Sequence, residues 1–511
     1  MHLGGRAPGA NLSHEVRPTA TCASSGLSAE LRGHVFETSH PFLFFDYFRI
    51  PYRQRAAAPG EWLGQLRTRE RTLLWPVFET DIQATEPPGA LPSATYSLGT
   101  IPVHCRLLDD AMTARARAVA GGTWRKSTPV QDARGATVAS VWRDEHGNVV
   151  LPFDPAEAIR GYWSERYQQP AAASARGRAK RIARTAYYRV RPVLPRRTQL
   201  QMRRLFSRVQ ARAAFPRWPV ETGLHDLYDW LFDVTADLAG APVPWLAPWP
   251  GGRSWAMVLT HDVETSVGYQ RLGVLRDIEL AAGVRSSWNF VPGRYHVADE
   301  LVRSLLETGF EVGVHGLYHD GRDLESLERL TERLPGMRSA ANRWQASGFR
   351  SPATQRVWEY MPRLGFDYDS SYPDSDPFEP QAGGCCSWLP FFNGNLVELP
   401  ITLPQDHTLF AILDHTDETA WLQKSEHIRR RGGMGLLITH PDYTLDRRVV
   451  AAYRRFLDHV RDEPGVWCAL PREVSAWWRR RAASHIVPAV DGWRVMGPAA
   501  TEATIEFASP A

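Results

Sequence analysis

The chain has 511 residues, of which 43% are hydrophobic and 23% are charged, and it carries a formal net charge of +4. This length exceeds what one ordinary hydrophobic core supports, so we expect one large domain of barrel size and one or two smaller domains. Its five scattered cysteines lack C-x-x-C spacing and argue against a disulfide framework, and no apolar run has secretory or membrane-spanning length, so we expect a cytoplasmic protein.

The first third of the chain predicts a tail and a small domain. Residues 1–35 are rich in Gly, Pro, Ser and Arg and predict a disordered tail. Residues 36–165 mix apolar runs with turn signals and predict an α/β domain of unknown role, including a hairpin between residues 137 and 151. Asp154 before Pro155 predicts the N-cap of a helix, because both residue types suit the free amides of a first turn.

A basic connector is predicted over residues 166–222, where 15 Lys and Arg and no acidic residue lie between Arg166 and Arg217. Apolar residues and arginines recur at helical spacing over residues 196–215, which predicts a basic amphipathic helix. Such a helix could bind an anionic membrane surface or a phosphorylated glycolipid. A solvated helix packed on a neighbouring domain is the alternative. No recognised nucleic-acid-binding motif accompanies the charge, so no nucleic-acid partner is expected.

Residues 223–483 predict a domain of parallel β/α units, because short apolar strands alternate with helical patterns there. Strands are predicted over residues 255–260, 286–291, 311–315 and 434–440. A helix with Gly309 as its C-cap is predicted over residues 299–308. The last segment, residues 484–511, predicts a small β extension.

Polar residues follow several of these strands, at the end where parallel barrels place their active sites. Strand alternation puts Asp262 and Glu264 on one side, so two carboxylates can face one cavity. If the chain turns into a helix after Gly316, His315 and His319 can reach one ion, and with a carboxylate they leave positions open for water and substrate. Taken alone, the two acidic residues also fit an ordinary helix cap or a surface loop, and the two histidines also fit a buried structural pair.

Three further segments complete the set: Arg350, residues 366–371, and His440. An arginine can hold a neighbouring carboxylate ionised, and an aspartate beside a histidine raises the pKa of the imidazole so that it can act as an acid. Each segment alone also fits a salt bridge or a capped loop. Their combination within one β/α domain favours an active site.

The order and spacing of these residues resemble the polysaccharide deacetylase family, the NodB-homology domain, from Trp255 to Trp478. The family's first motif usually has two adjacent aspartates, whereas here Val263 stands at the second place and Glu264 follows, as in a branch with a Thr-His-Asp-Val-Glu motif. The resemblance implies a distorted (β/α) barrel of about seven strands. It also implies a divalent ion, zinc above all, and removal of an acetyl group from an N-acetylated sugar.

The resemblance further implies the roles of single residues. Asp262 would be the general base and Glu264 a metal ligand, although these two roles can be exchanged. Arg350 would orient Asp262, and Asp369 or Asp367 would support His440, which would protonate the departing amine. The remaining metal ligands would be His315 and His319. The implied substrate-binding residues are Pro352, Tyr368, Tyr372 and Glu398.

Two alternatives remain at this point: another amide hydrolase on the same fold, such as one that opens a cyclic ureide, and a non-catalytic glycan-binding protein. The sequence has neither a G-x-S-x-G nucleophile elbow nor a complete phosphate-binding loop. Because no export signal is visible, we expect an intracellular step in surface-glycan assembly. The expected substrate is a nucleotide-linked or lipid-linked N-acetylhexosamine, with peripheral membrane contact through residues 196–215.

Overall fold

The computed structural model describes residues 36–57, 61–78, 89–169 and 215–510, together with the isolated positions 207 and 210. The predicted tail over residues 1–35 lies outside this part of the chain, as does most of the predicted basic helix over residues 196–215. Among the described residues, no helix combines the length and the apolar character needed to cross a membrane.

The described residues of the N-terminal region form nine strands and three α-helices. The strands are β1 (Phe36–Thr38), β2 (Tyr52–Gln54), β3 (Leu63–Arg67), β4 (Thr72–Pro76), β5 (Ala90–Leu98), β6 (Ile101–Leu108), β7 (Trp124–Gln131), β8 (Thr137–Asp144) and β9 (Val149–Val150). The helices are α1 (Leu43–Phe48), α2 (Asp110–Ala120) and α3 (Pro155–Trp163). The strands make one mixed sheet in the order β2-β1-β3-β4-β9-β8-β7-β5-β6.

Two local predictions for this region are confirmed. The predicted hairpin is present, because β8 pairs antiparallel with β9 through Trp142 and Val150. The predicted helix start is present too: the Asp154 side chain accepts a hydrogen bond from the Ala156 amide at 2.8 Å, and Pro155 opens α3.

Helix α4 (Gly223–Ala239) and strand β10 (Val243–Leu246) lead into a second nine-stranded sheet. Its strands are β11 (Trp255–Val263), β12 (Ser287–Phe290), β13 (Glu311–Val314), β14 (Gly348–Phe349), β15 (Tyr368–Asp369), β16 (Phe391–Asn393), β17 (Leu396–Glu398), β18 (Met434–Thr439) and β19 (Val466–Ala469). Seven of them lie side by side and parallel in the order β17-β15-β14-β13-β12-β11-β18. Strand β16 extends the β17 edge antiparallel, and β19 pairs with β11.

The seven parallel strands curl into an irregular barrel. Beyond β17, the Leu403 amide donates to the Leu436 carbonyl of β18 at 3.0 Å, so the two edges of the row approach each other. Every residue of β11 is buried, as expected for a parallel strand covered on both faces. The predicted distorted (β/α) barrel of about seven strands is therefore confirmed.

Six α-helices belong to this domain: α5 (Ser266–Ala282), α6 (Asp299–Glu307), α7 (Leu327–Trp344), α8 (Thr419–Arg430), α9 (Arg447–Val460) and α10 (Pro471–Ala482). The predicted helix over residues 299–308 corresponds to α6, and Gly309 follows it with a φ of 88°. No helix follows Gly316, however, because Gly316 and His319 both adopt left-handed backbone, with φ of 65° and 57°. That conformation cannot continue a right-handed helix, and α7 begins only at Leu327.

The C-terminal segment adds three short strands: β20 (His485–Ala489), β21 (Gly492–Met496) and β22 (Ile505–Ala508). Strands β20 and β21 form an antiparallel hairpin, whereas β22 pairs with β10 at the entrance to the barrel domain. The last residues of the described chain therefore return to the segment that precedes the first barrel strand.

Candidate active site

The end of β11 presents its side chains alternately to the barrel interior and to the surrounding helices. His261 faces outward: its Nε2 lies 2.7 Å from Glu279 Oε1 of α5, and its ring packs 4.1 Å from that of Trp288. Thr260 and Asp262 face inward, where both contact the guanidinium of Arg350. The strand thus places Asp262 inside the carboxyl end of the barrel, as alternation predicts.

Asp262 is buried, and its hydrogen bonds fix the direction of its carboxylate. Oδ1 accepts from Arg350 Nη1 at 3.0 Å and from Asn289 Nδ2 at 2.9 Å, which leaves Oδ2 3.8 Å from His315 Nε2. Burial raises the pKa of Asp262, but the positive charge of Arg350, with His315 and the other partners, outweighs burial and lowers it to about 2. Asp262 is therefore an oriented carboxylate that is ionised at neutral pH.

Arg350 joins three strand ends. It is 1% exposed, and its Nη1 donates to Thr260 Oγ1 at 2.8 Å as well as to Asp262. Its Nε donates to the Ser370 carbonyl at 2.7 Å, and its Nη2 donates to the Ser370 hydroxyl at 2.8 Å. Because these contacts come from several directions, the guanidinium has one allowed position, and it holds Asp262 in place.

The protonation of His315 follows from its single backbone partner. Its Nδ1 lies 3.1 Å from the carbonyl oxygen of Arg350. A carbonyl oxygen only accepts, so Nδ1 carries the proton and Nε2 presents a lone pair to the site. Burial lowers the pKa of His315 to about 4, which keeps the ring neutral at pH 7. A neutral imidazole with a fixed donor nitrogen is suited to bind a metal ion.

His319 and Glu264 meet next to His315. The Nε2 of His319 lies 3.1 Å from Glu264 Oε1, yet this buried nitrogen has no hydrogen bond of acceptable geometry with any described residue. The left-handed backbone of His319 turns its ring towards His315, with the two ring centroids 5.0 Å apart. Burial raises the pKa of Glu264, but the adjacent His319 outweighs burial and holds it well below its usual range.

These three side chains form a candidate metal site. One donor atom from each of Glu264, His315 and His319 lies within 4.8 Å of the other two. The Nε2 atom of His319 makes no hydrogen bond within the described chain, and His315 Nε2 presents its lone pair to the same place, as a cation site requires. Two imidazoles and one carboxylate fit zinc or a similar divalent ion and leave coordination positions open.

His440 lies across the site, at the end of β18, and its partner is Asp406. The Nδ1 of His440 lies 2.6 Å from Asp406 Oδ1, and the His440 amide donates to Asp406 Oδ2 at 2.7 Å. Burial lowers the pKa of His440, but the Asp406 carboxylate outweighs burial and raises it to about 10. Nε2 of His440 lies 3.9 Å from Glu264 Oε1, so the protonated ring faces the candidate metal site.

The prediction that Asp369 or Asp367 supports His440 is therefore wrong. Asp367 is exposed just before β15, at the opposite end of the barrel. Asp369 faces Glu398 and accepts from the Ser371 hydroxyl at 2.7 Å. Asp406 lies beside His440 because the chain that follows β17 runs alongside β18. The spacing of residues in the sequence does not reveal this path. The local sequence signal for Asp406 is weak: it is an acidic residue in a mainly apolar stretch.

Asp369 and Glu398 form a buried carboxyl pair below the site. Oε1 of Glu398 accepts from the amides of Ser371 at 3.1 Å and Tyr372 at 3.0 Å. Burial and the neighbouring Asp369 carboxyl group raise the pKa of Glu398 well above its usual range. These bonds fix the segment that follows β15, which includes the Ser370 acceptor of Arg350.

The four predicted substrate-binding residues are all buried. Tyr368 faces away from the site, because its hydroxyl donates to Glu311 Oε1 at 2.7 Å at the start of β13, and its assignment as a substrate contact is wrong. Pro352 packs on the turn that carries both metal-site histidines: a Cβ added to Gly316 would lie 2.6 Å from its Cγ. Tyr372 and Glu398 support the loop after β15 from within.

Comparisons with known proteins add likenesses of fold. No protein-family model matches the chain, and no curated protein matches it either. A solved structure from Mycobacterium smegmatis, assigned as a polysaccharide deacetylase, is similar with 23% identity and a TM-score of 0.37, covering 46% of this chain and 93% of its own. Puue allantoinase is similar with 15% identity and a TM-score of 0.38, covering 45% of this chain and 92% of its own.

A third similar structure is peptidoglycan deacetylase PdaC from Bacillus subtilis, with 12% identity and a TM-score of 0.31, covering 45% of this chain and 94% of its own. All three likenesses cover less than half of the present chain. The geometry of the site therefore carries the functional conclusion.

Proposed function

We propose that this protein is a metal-dependent hydrolase that removes the acetyl group from an N-acetylated sugar. One observation carries the proposal: Glu264, His315 and His319 converge at the carboxyl end of a parallel barrel, between an oriented carboxylate and a protonated imidazole. That arrangement supplies what amide hydrolysis needs, namely a base on one side of the reacting carbon and an acid on the other.

The candidate ligands define the place of the reaction. When bound by Glu264, His315 and His319, a divalent ion would polarise the acetyl carbonyl and lower the pKa of water from 15.7 to about 7. Asp262 accepts the proton of the attacking water, since Arg350 and Asn289 hold Oδ1 and leave Oδ2 facing the site.

His440 supplies the proton that the departing amine requires. Its Nδ1 is engaged by Asp406, so its Nε2 is the nitrogen that can donate to the amine. A general acid of this kind contributes roughly 10²- to 10⁴-fold to a rate. The base on β11 and the acid directly after the neighbouring strand β18 are thus separate side chains.

A combined metal and substrate assay tests the proposal. The purified full chain is analysed for bound metal and incubated with a panel of N-acetylated sugars, with acetate release as the readout and cyclic ureides as the comparison. We expect about one equivalent of divalent ion, zinc above all, and acetate release that a chelator abolishes. Ring opening of a ureide without acetate release would favour the other amide hydrolase, and sugar binding without metal or turnover would favour a glycan-binding protein.

The form of the sugar is a further part of the proposal. We propose a nucleotide-linked or lipid-linked N-acetylhexosamine that is used in the cytoplasm for surface-glycan assembly. Both forms carry phosphate, which the basic helix predicted over residues 196–215 could bind. Binding to anionic liposomes should fall when Arg203, Arg204, Arg208 and Arg212 are neutralised. Unchanged binding would remove the support for membrane contact.

A further inference from the structure

The metal-site carboxylate Glu264 lies just beyond the strand that positions the rest of the site. Strand β11 ends at Val263, so the amide of Glu264 has no partner in the sheet. The Glu264 side chain is 25% exposed and has several rotatable bonds. Its position at the candidate metal site therefore depends on what holds the backbone of residues 263–265.

Asp442 provides that hold. Its Oδ2 accepts from the Glu264 amide at 3.1 Å, and its Oδ1 accepts a short hydrogen bond from the Thr265 hydroxyl. Asp442 lies two residues after His440, in the single-turn 3-10 helix (Pro441–Tyr443) that opens the loop after β18. Strand β18 pairs with β11 through Thr439 and His261. The loop that carries the proposed acid thus also fixes the backbone of the proposed ligand.

Gly268 makes room for this contact. A Cβ at Gly268, in the first turn of α5, would lie only 2.2 Å from Asp442 Oδ2. The approach of the carboxylate therefore requires a residue without a side chain at this position. On the other side, the Tyr295 hydroxyl donates to the Val263 carbonyl and accepts from the Val291 amide at 3.2 Å.

We propose that Asp442 is a positioning residue that fixes Glu264 as a metal ligand, with Tyr295 holding the preceding peptide. This inference rests on the proposed function, because it takes Glu264 as a ligand. Glu264 lies one residue past the end of β11, so hydrogen bonds of the sheet no longer orient its peptide. The side chains of Asp442 and Tyr295 orient the peptide instead.

The test measures metal affinity in two matched pairs of variants of the full chain. Gly268→Ala displaces the Asp442 carboxylate without altering it, and Gly273→Ala is its control, because a Cβ there meets only Arg276 Nη2 at 3.8 Å on the same helix. Asp442→Asn removes the charge, and Asp446→Asn is its control, since Asp446 caps α9 and contacts the Arg448 amide at 2.9 Å.

The Kd for Zn²⁺ is measured by competition with a chromophoric chelator, and the visible spectrum of the Co²⁺-loaded protein reports the ligand geometry. We expect Gly268→Ala and Asp442→Asn to raise the Kd roughly 10- to 100-fold and to shift the Co²⁺ spectrum, with both controls close to wild type. The Tm of each metal-free protein separates this effect from a loss of folding, since an intact Tm is expected throughout.

Metal binding by Gly268→Ala and Asp442→Asn as tight as that of their controls would overturn the inference and leave the proposed function standing. A weakened Kd that only follows a lowered metal-free Tm would also overturn it. A wild-type protein that binds no divalent ion would overturn both the inference and the proposed function.

Discussion

Asp406 contacts His440 twice, through the imidazole Nδ1 at 2.6 Å and through the backbone amide at 2.7 Å. Both oxygens of one carboxylate thus engage one residue, which fixes the ring in position as well as its protonation. A carboxylate on Nδ1 directs Nε2 into the site and stabilises the imidazolium.

Replacing Asp406 should therefore impair proton transfer without emptying the metal site. Asp406→Asn keeps the size of the side chain but removes the charge that favours the protonated imidazole. We expect kcat for acetate release to fall roughly 10²-fold or more. Metal content should stay at the wild-type level, since Asp406 is not among the clustered ligands. Asp417→Asn, at a half-buried position where the side chain accepts from the Thr419 amide, serves as control. Wild-type kcat in Asp406→Asn would contradict the assigned role.

Substitutions of the candidate metal-site histidines and of the proposed base should have different effects on metal content and activity. His315→Ala and His319→Ala each remove an imidazole donor, so both should lose bound metal and activity together. Asp262→Asn should retain metal but lose turnover, because its Oδ2 faces the site as a proton acceptor. Elemental analysis and acetate release measure the two properties, with the exposed His459→Ala as control. Activity retained in all three variants would refute the assignment.

The buried pair of Arg356 and Glu165 should be important for stability. The guanidinium binds both carboxylate oxygens at 2.5 and 2.6 Å and joins the end of the N-terminal region to the barrel. Arg356→Met leaves a buried charge without its partner and should lower the free energy of unfolding by roughly 3–5 kcal/mol. Urea denaturation measures the loss. Adding Glu165→Gln should recover part of it, and a double variant no more stable than Arg356→Met would contradict this explanation.

Glu311 should make stability depend on pH. It accepts hydrogen bonds from the Tyr368 hydroxyl at 2.7 Å and the Arg472 amide at 3.0 Å, and burial raises its pKa from 4.5 to about 7. The folded state therefore binds the proton more tightly than the unfolded state. The resulting stability is fully present below pH 4.5, declines as the pH rises, and is lost above about pH 7.

Glu311→Gln cannot titrate, so it should lack this component. The free energy of unfolding of Glu311→Gln minus that of wild type should rise by up to roughly 3 kcal/mol between pH 5 and pH 8. Any effect of the substitution that does not depend on pH cancels in this comparison. Denaturation at both pH values measures the change, and the exposed Glu307→Gln should follow wild type. Parallel curves for Glu311→Gln and wild type would rule out a titrating Glu311.

The sequence by itself determined the features whose cause is local. Alternation along β11 places Asp262 inside and His261 outside, and the Asp154 cap begins α3 as predicted, because neighbouring residues alone set both geometries. The alternating strand and helix patterns likewise predicted parallel β/α units whose strand ends gather the polar residues.

Only the tertiary structure decided which side chains complete one another across the barrel. Asp406 instead of Asp369 holds His440, Asn289 orients Asp262, Asp442 holds the Glu264 peptide, and Tyr368 turns away from the site. These pairs lie between 27 and 178 positions apart in the chain. Periodicity describes the direction of a side chain within its own strand, whereas the partner depends on the path of the loops and the register of the sheet.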